Sequence, residues 1–183
     1  MGELVYAAIT SLDGYVNDAT GGFGWAEPDE EVHTAVNDLL RGTTTHLYGR
    51  RMYEVLVWWE TMPIDSAPPY IRDYAEMWRA ADKVVYSRTL DEVSSARTRI
   101  ERSFDPALVR DLTATGDVSI GGPGLARHAF EHGLVDAVHL FVTPVSVGGG
   151  TAALPTGLRV DLTLVGQRSF GSGVVHLHHR VRR

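Results

Sequence analysis

The stretch Ile120-Gly121-Gly122-Pro123-Gly124-Leu125 decides the reading of this chain. Behind it, Asp117 to Ile120 has the length of a short strand, and ahead of it Leu125 to His132 has the spacing of a helix. Glycines at a strand-to-helix turn let backbone approach a ligand closely, and the helix beyond offers free amides and the positive end of its dipole. The spacing is not Gly-x-Gly-x-x-Gly, so this is not the dinucleotide fingerprint of doubly wound sheets. A plain tight turn is the alternative reading.

The same strand–turn–helix order recurs on both sides. Leu4 to Thr10 is a nearly continuous apolar run, expected as a central strand. Ser11 to Ala26 is expected as loop. Pro28 to Leu40 is expected as a helix, with Asp29, Glu30 and Glu31 in its first turn and Val32, Val36, Leu39 and Leu40 toward the core. A strand over Thr44 to Tyr48 leads into a short helix from Gly49 to Val55. The helix Pro69 to Ala81 precedes the strand Asp82 to Tyr86. A strand at Arg99 to Ser103, a helix at Pro106 to Thr113 and a long strand from Ala137 to Val145 follow. Arg159 to Phe170 and Val174 to Arg182 pair around Gly171-Ser172-Gly173. The fold class is α/β: a mixed, mostly parallel sheet with an antiparallel hairpin at the end and helices on both faces. Such sheets bind ligands beyond the carboxyl ends of their strands.

Two further turns share the chemistry of the first. Gly49-Arg50-Arg51-Met52 follows a strand and suits an anionic ligand, although a solvated helix face reads equally well. Ser87-Arg88-Thr89 offers hydroxyls around an arginine, as a 2′-phosphate would use; alone it is an ordinary polar loop. On different crossovers of one sheet, the three turns could surround one long phosphate-bearing ligand. Asp13, in Ser11-Leu12-Asp13-Gly14, and the carboxylates through Glu31 are candidate catalytic acids. Their plain roles are turn former and helix-start charge.

Composition narrows the classes. The chain has 183 residues, expected as one domain over 1–183, with no Cys, 17 Lys+Arg and 23 Asp+Glu. Without Cys there is no disulfide scaffold, thiolate zinc site or cysteine nucleophile. A net charge of −6 argues against nucleic acid as partner. No signal peptide or apolar run of spanning length is read, so a cytoplasmic protein without membrane partners is expected. His128 and His132, four apart, lack a third ligand and an interposed Glu, and no metal site is assigned.

Six segments in order resemble the dihydrofolate reductase-like fold, closest to the RibD C-terminal type of riboflavin-biosynthesis reductase domain. They are Ala8-Ile9-Thr10-Ser11-Leu12-Asp13-Gly14, Tyr48 to Glu54, Val85 to Leu90, Ile120 to Leu125, Gly133-Leu134-Val135-Asp136 and Thr143 to Gly150. The resemblance covers essentially the whole chain and implies a three-layer fold and NADPH-dependent hydride transfer. It places Gly49, Arg50, Arg51 and Met52 on the cofactor and Ser87, Arg88 and Thr89 at the adenosine 2′-phosphate. It places Gly121, Gly122, Gly124 and Leu125 around the pyrophosphate, and the nicotinamide near Ala8 under a lid formed by the Ser11–Ala26 loop. It also implies a homodimer and a small heterocyclic or riboflavin-pathway substrate. Tyr15 stands where the riboflavin enzymes carry Lys, and Thr151-Ala152-Ala153-Leu154-Pro155 replaces their basic residue and Leu-Phe. Both departures weaken the phosphoribosyl substrate more than the cofactor. A dihydrofolate reductase, a non-catalytic nucleotide-binding module and a structural dimer built on the Val138–Val145 strand are the alternatives. The cysteine-bearing zinc deaminase half of the bifunctional enzyme has no counterpart here, so a solitary reductase-type domain is expected.

Overall fold

The computed structural model describes residues 2–182. Eight strands form the main sheet: β1 (Leu4–Thr10), β3 (Thr43–Gly49), β4 (Asp82–Tyr86), β5 (Thr98–Glu101), β6 (Asp117–Gly121), β7 (Ala137–Val142), β9 (Leu162–Ser169) and β10 (Val175–Val181). Two short strands, β2 (Tyr15–Asn17) and β8 (Thr151–Ala152), pair separately. The order across the main sheet is β5-β4-β3-β6-β1-β7-β10-β9. All pairs from β5 to β7 are parallel, and β10 runs antiparallel to both β7 and β9. The helices are α1 (Glu30–Leu40), α2 (Arg50–Leu56), α3 (Trp58–Thr61), α4 (Pro69–Ala80), α5 (Pro106–Thr115) and α6 (Pro123–Glu131).

Central strands are apolar at successive positions because helices cover both faces. Leu47 and Val84 face one way, into a core with Leu4, Tyr6, Val109 of α5 and Ala129 of α6. Their neighbours Tyr48 and Val85 face the other way, against Tyr53 of α2 and Trp78 of α4. Beyond them on that face, α1 sets Val32 against Phe141, Phe170 and Val174. Burial of apolar side chains on this scale is the main force holding the layers together.

Most expected boundaries hold within two residues, and the differences have local causes. Helix α1 begins at Glu30, not Pro28, because the Asp29 side chain accepts from the Val32 amide at 2.9 Å and acts as N-cap. Helix α6 starts at Pro123, directly on the glycine turn, since proline suits a first helical position. Strand β7 stops at Val142, ahead of Pro144, which cannot donate to a ladder. It also lies between β1 and β10 with Val138 and Phe141 buried. Both edges of that strand are thus hydrogen-bonded within the sheet. Four short elements escaped the sequence reading: α3, β2, β8 and a single 3-10 turn at Gly24–Ala26. They are too short to show a period.

One buried charge was also not foreseen. The Lys83 ammonium donates to the carbonyls of Trp78 at 2.8 Å and Ala81 at 2.9 Å, and lies over the Trp78 ring at 4.3 Å. It thus satisfies carbonyls left open at the end of α4.

Candidate active site

The chain leaves β1, enters the sheet two places away at β3, builds outward to β5, and returns to place β6 between β3 and β1. Strand β7 then goes to the other side of β1. Reversals of this kind open a crevice at the carboxyl edge of the sheet. Three turns sit on that edge. Gly49 ends β3, Ser87 follows β4 and Gly121 ends β6. These strands are contiguous, with Gly49 opposite Tyr86 and Tyr48 opposite Gly121. At about 4.8 Å between strands, the three turns fall within about 10 Å of one another.

Side chains join them further. The Arg50 guanidinium donates to Thr89 Oγ1 at 2.9 Å and to Glu54 Oε1 at 2.7 Å, linking the start of α2 to the turn after β4. Ser87 Oγ accepts from the amides of Thr89 and Leu90 at 3.3 and 3.0 Å, which shapes that turn. Arg102 braces it from below, donating to the carbonyls of Ser87 and Leu90. Arg51 and Arg88 are exposed beside these groups. Met52 lies between the turns, its Cε 3.3 Å from where a Cβ on Gly121 would stand. Gly122 has φ +90°, the left-handed region that favours glycine, and caps α6 with no side-chain bond. Gly124 is exposed, and a Cβ there would meet no protein atom within 4 Å. Bare helix amides, an open glycine and exposed guanidinium groups are the donor set an anionic, phosphate-bearing cofactor needs. The residues present fit one.

Ala8 lies half-buried on β1, one strand from β6. The loop after β1 is held more tightly than a freely moving lid. Leu12 donates its amide to Val145, and β2 pairs with β8. The Asp13 carboxylate accepts from Ser146 Oγ at 3.0 Å and from the amides of Val147 at 3.1 Å and Gly148 at 2.7 Å. A further side-chain hydrogen bond from Ser11, the largest effect, and these donors hold its carboxyl well below the usual range. Tyr6 Oη donates to Ala153 at 2.6 Å and ties the β8 segment to the sheet. Glu31 stands at the start of α1, where its oxygens accept from Arg168 Nη2 and the Gly171 amide, each at 3.1 Å. It clasps the β9–β10 hairpin. The twelve expected cofactor positions thus lie along the carboxyl edge, while the two expected acids each bind a loop.

One buried imidazole in the helix layer was also not read from the sequence. His33, in the first turn and a half of α1, is buried among Trp59, Tyr70 and Tyr74, with ring centroids 6.0, 5.2 and 5.5 Å away. The available signal was a polar pair, His33 and Asn37, at helical spacing beside an apolar stripe. Elsewhere, His176 and His178 of β10 each stack on His139 of β7. Among the described residues no group of three or more His, Cys, Asp or Glu side chains could hold a metal ion. Among the described residues no helix is long and apolar enough to cross a membrane.

The RibD C-terminal domain profile matches residues 3–176. No curated protein matches the sequence. Several solved structures share the fold. A Shewanella sp. PV-4 protein named for riboflavin biosynthesis is 18% identical with a TM-score of 0.77, covering 99% of each chain. A pyrimidine reductase-like protein of Corynebacterium diphtheriae is 16% identical with a TM-score of 0.72, covering all of this chain and 92% of the other. A Thermotoga maritima diaminohydroxyphosphoribosylaminopyrimidine deaminase/5-amino-6-(5-phosphoribosylamino)uracil reductase is 14% identical with a TM-score of 0.67. This chain spans 57% of that longer protein.

Proposed function

Because the chain belongs to the RibD C-terminal domain family, we propose that it is an NADPH-dependent reductase of a small heterocycle, pyrimidine-like or pterin-like. The observation that carries this reading is the contiguity of β4, β3 and β6, which gathers three anion-suited turns at one edge of the sheet. NADPH, when bound, supplies the hydride. Gly121, Gly122, Gly124 and Leu125 hold its pyrophosphate with backbone amides. Gly49, Arg51 and Met52 line its path, and Arg50, Ser87, Arg88 and Thr89 receive the 2′-phosphate. Ala8 marks the nicotinamide end on β1.

The chain's other residues shape the cavity. Asp13 and Glu31 hold its walls: Asp13 pins the loop after β1, and Glu31 pins the hairpin. Asp13, stabilised as a carboxylate, has no proton to give at neutral pH. The pinned loop excludes water from the crevice. A cytoplasmic homodimer fits this reading, supported by the exposed Leu164 and Val165 on the edge strand β9. Sedimentation checks the dimer.

The test is a fluorescence titration of NADPH and NADH, followed by a screen of reducible pyrimidines and dihydropterins by NADPH absorbance. Binding that favours NADPH, with turnover above buffer, supports the reductase. Absence of NADPH binding at high micromolar concentration refutes it. Binding without turnover returns the non-catalytic nucleotide module, and turnover of dihydrofolate alone assigns a dihydrofolate reductase.

A further inference from the structure

A cavity of about 340 Å³ opens at the amino edge of the sheet, at the opposite end of the strands from the three anion-suited turns. It lies between the last turns of α1 and α4 and the first residues of β3 and β4. Thr43 begins β3 and Gly49 ends it, so at about 3.3 Å per residue the cavity stands about 20 Å from the cofactor edge. His46 and Trp78, 4% and 1% exposed, are its deepest lining residues, with Tyr74 and Met77 beside them. Arg41, Arg97 and Asp82 are exposed at its rim.

The His46 ring is set to serve this space. Its Nδ1 lies 2.6 Å from Ser119 Oγ of β6, and Tyr48 stacks on it at 5.6 Å. Strand β3 stands between β6 and β4, and no β6 residue lines the cavity. With Nδ1 turned to β6, Nε2 diverges across the ring toward the side of β3 where β4 and α4 frame the cavity. Burial, then the Lys83 charge, pushes the ring's pKa down to about 4, so it is neutral at pH 7. The rim carries a second mark. Arg97 has φ +54° and is the one non-glycine residue with a positive φ among the described residues. Strained backbone of this kind collects at binding sites.

We propose that this cavity is a second ligand site, for a neutral aromatic molecule of one or two rings carrying one hydrogen-bonding ring atom. The rings of Trp78 and Tyr74 and the Met77 sulfur suit an aromatic partner, and the ligand's polar atom meets His46 Nε2. Neutrality follows from the rim, where both guanidinium groups are already paired. Arg41 holds Asp73 at 2.9 Å and Asp38 at 3.2 Å, and Arg97 holds Asp82 at 2.9 Å. A charged ligand would have to break one of these pairs or stay unpaired. The volume is at the small end of the range of ligand sites. This site does not depend on the reductase reading.

The test is an amide NMR titration of the isotope-labelled full chain at neutral pH with four probes. Indole supplies a donor and isoquinoline an acceptor; N-methylindole supplies neither, and benzoate supplies charge. Indole or isoquinoline should shift the amides of Thr43, Thr44, Ala80, Ala81 and Arg97 and leave Gly121 and Gly122 unmoved. N-methylindole and benzoate should bind about tenfold more weakly, the worth of one hydrogen bond. Added NADPH should change the affinity by no more than about twofold, as for separate sites. Ala80→Phe places a ring in the cavity from an exposed position; it should keep the melting temperature and lose the shifts. His46→Phe keeps the ring shape and should erase the preference over N-methylindole. The proposal is overturned if neither indole nor isoquinoline moves these amides at about 10 mM. N-methylindole or benzoate binding as tightly as both, full binding in Ala80→Phe, or displacement of the probe by NADPH overturns it equally.

Discussion

Replacing Gly122 and Gly124 separately by alanine divides folding from binding at the turn after β6. At Gly122 the backbone has φ +90°, while a Cβ would stand an ordinary 3.7 Å from Met52 Cβ. Space is available, so the cost is backbone strain alone, about 1–3 kcal/mol for an L-residue at φ +90°, ψ 124°. For a chain of 183 residues that lowers the melting temperature by about 2–12 °C. At Gly124 nothing of the protein lies within 4 Å of an added Cβ, and the residue is the second of α6. Alanine is the better helix former by up to about 1 kcal/mol, so the melting temperature should hold or rise. The added methyl group nevertheless occupies the space through which a pyrophosphate would reach the helix amides. NADPH affinity should fall by about tenfold or more, about 1.4 kcal/mol. Thermal melts of the free protein and NADPH fluorescence titrations of wild type, Gly122→Ala and Gly124→Ala form the assay. If Gly124→Ala keeps full affinity, the phosphates do not approach this turn, and the cofactor placement is refuted. If it loses stability, the open space seen around Gly124 is wrong.

Other consequences concern the core and the loops. His46 is buried, with Nδ1 2.6 Å from Ser119 Oγ, and burial and then the Lys83 charge push its pKa down to about 4. The unfolded ring titrates near 6.5, so the unfolded state binds more protons between those values. Stability is therefore full above pH 6.5 and falls as pH drops toward 4, by about 3 kcal/mol from this group; His46→Gln should flatten that slope in urea melts. Lys83→Met leaves the Trp78 and Ala81 carbonyls without their donor and should cost about 2–3 kcal/mol in chemical denaturation; an unchanged midpoint would show that the ammonium is not needed there. Asp13→Asn should speed hydrogen exchange at the Val147 and Gly148 amides while β1 and β6 stay protected. Equal protection in both proteins would mean that the Asp13 clamp does not hold the loop.

Much of the fold was legible because each main element carries its own signal. The doubly apolar runs at Leu4–Thr10 and Asp82–Tyr86 mark strands covered on both faces, and Asp29 and Pro123 mark helix starts. The turns at Gly49, Ser87 and Gly121 were visible for the same reason: they combine residue types with special backbone or charge properties over a few positions. Long-range partnerships have no such local mark. That Asp13 would be consumed by amides 134 and 135 residues away, or Glu31 by the hairpin, depends on two distant loops arriving at one place. The same holds for Lys83, whose charge reads as an exposed strand residue until α4 ends above it.

By itself, then, the sequence determined the elements, their order and the anion-suited chemistry of three turns. These follow from side-chain period, φ preference and helix-end electrostatics, all set within a few residues. Tertiary structure decided which strands stand side by side. Only the return of β6 between β3 and β1 brings the turns onto one edge. Only the crossing of α1 with α4 gives Asn37 its partners in Tyr70 and Asp73. Sheet order and helix contacts arise from burying apolar area over the whole chain, a sum that no local stretch contains.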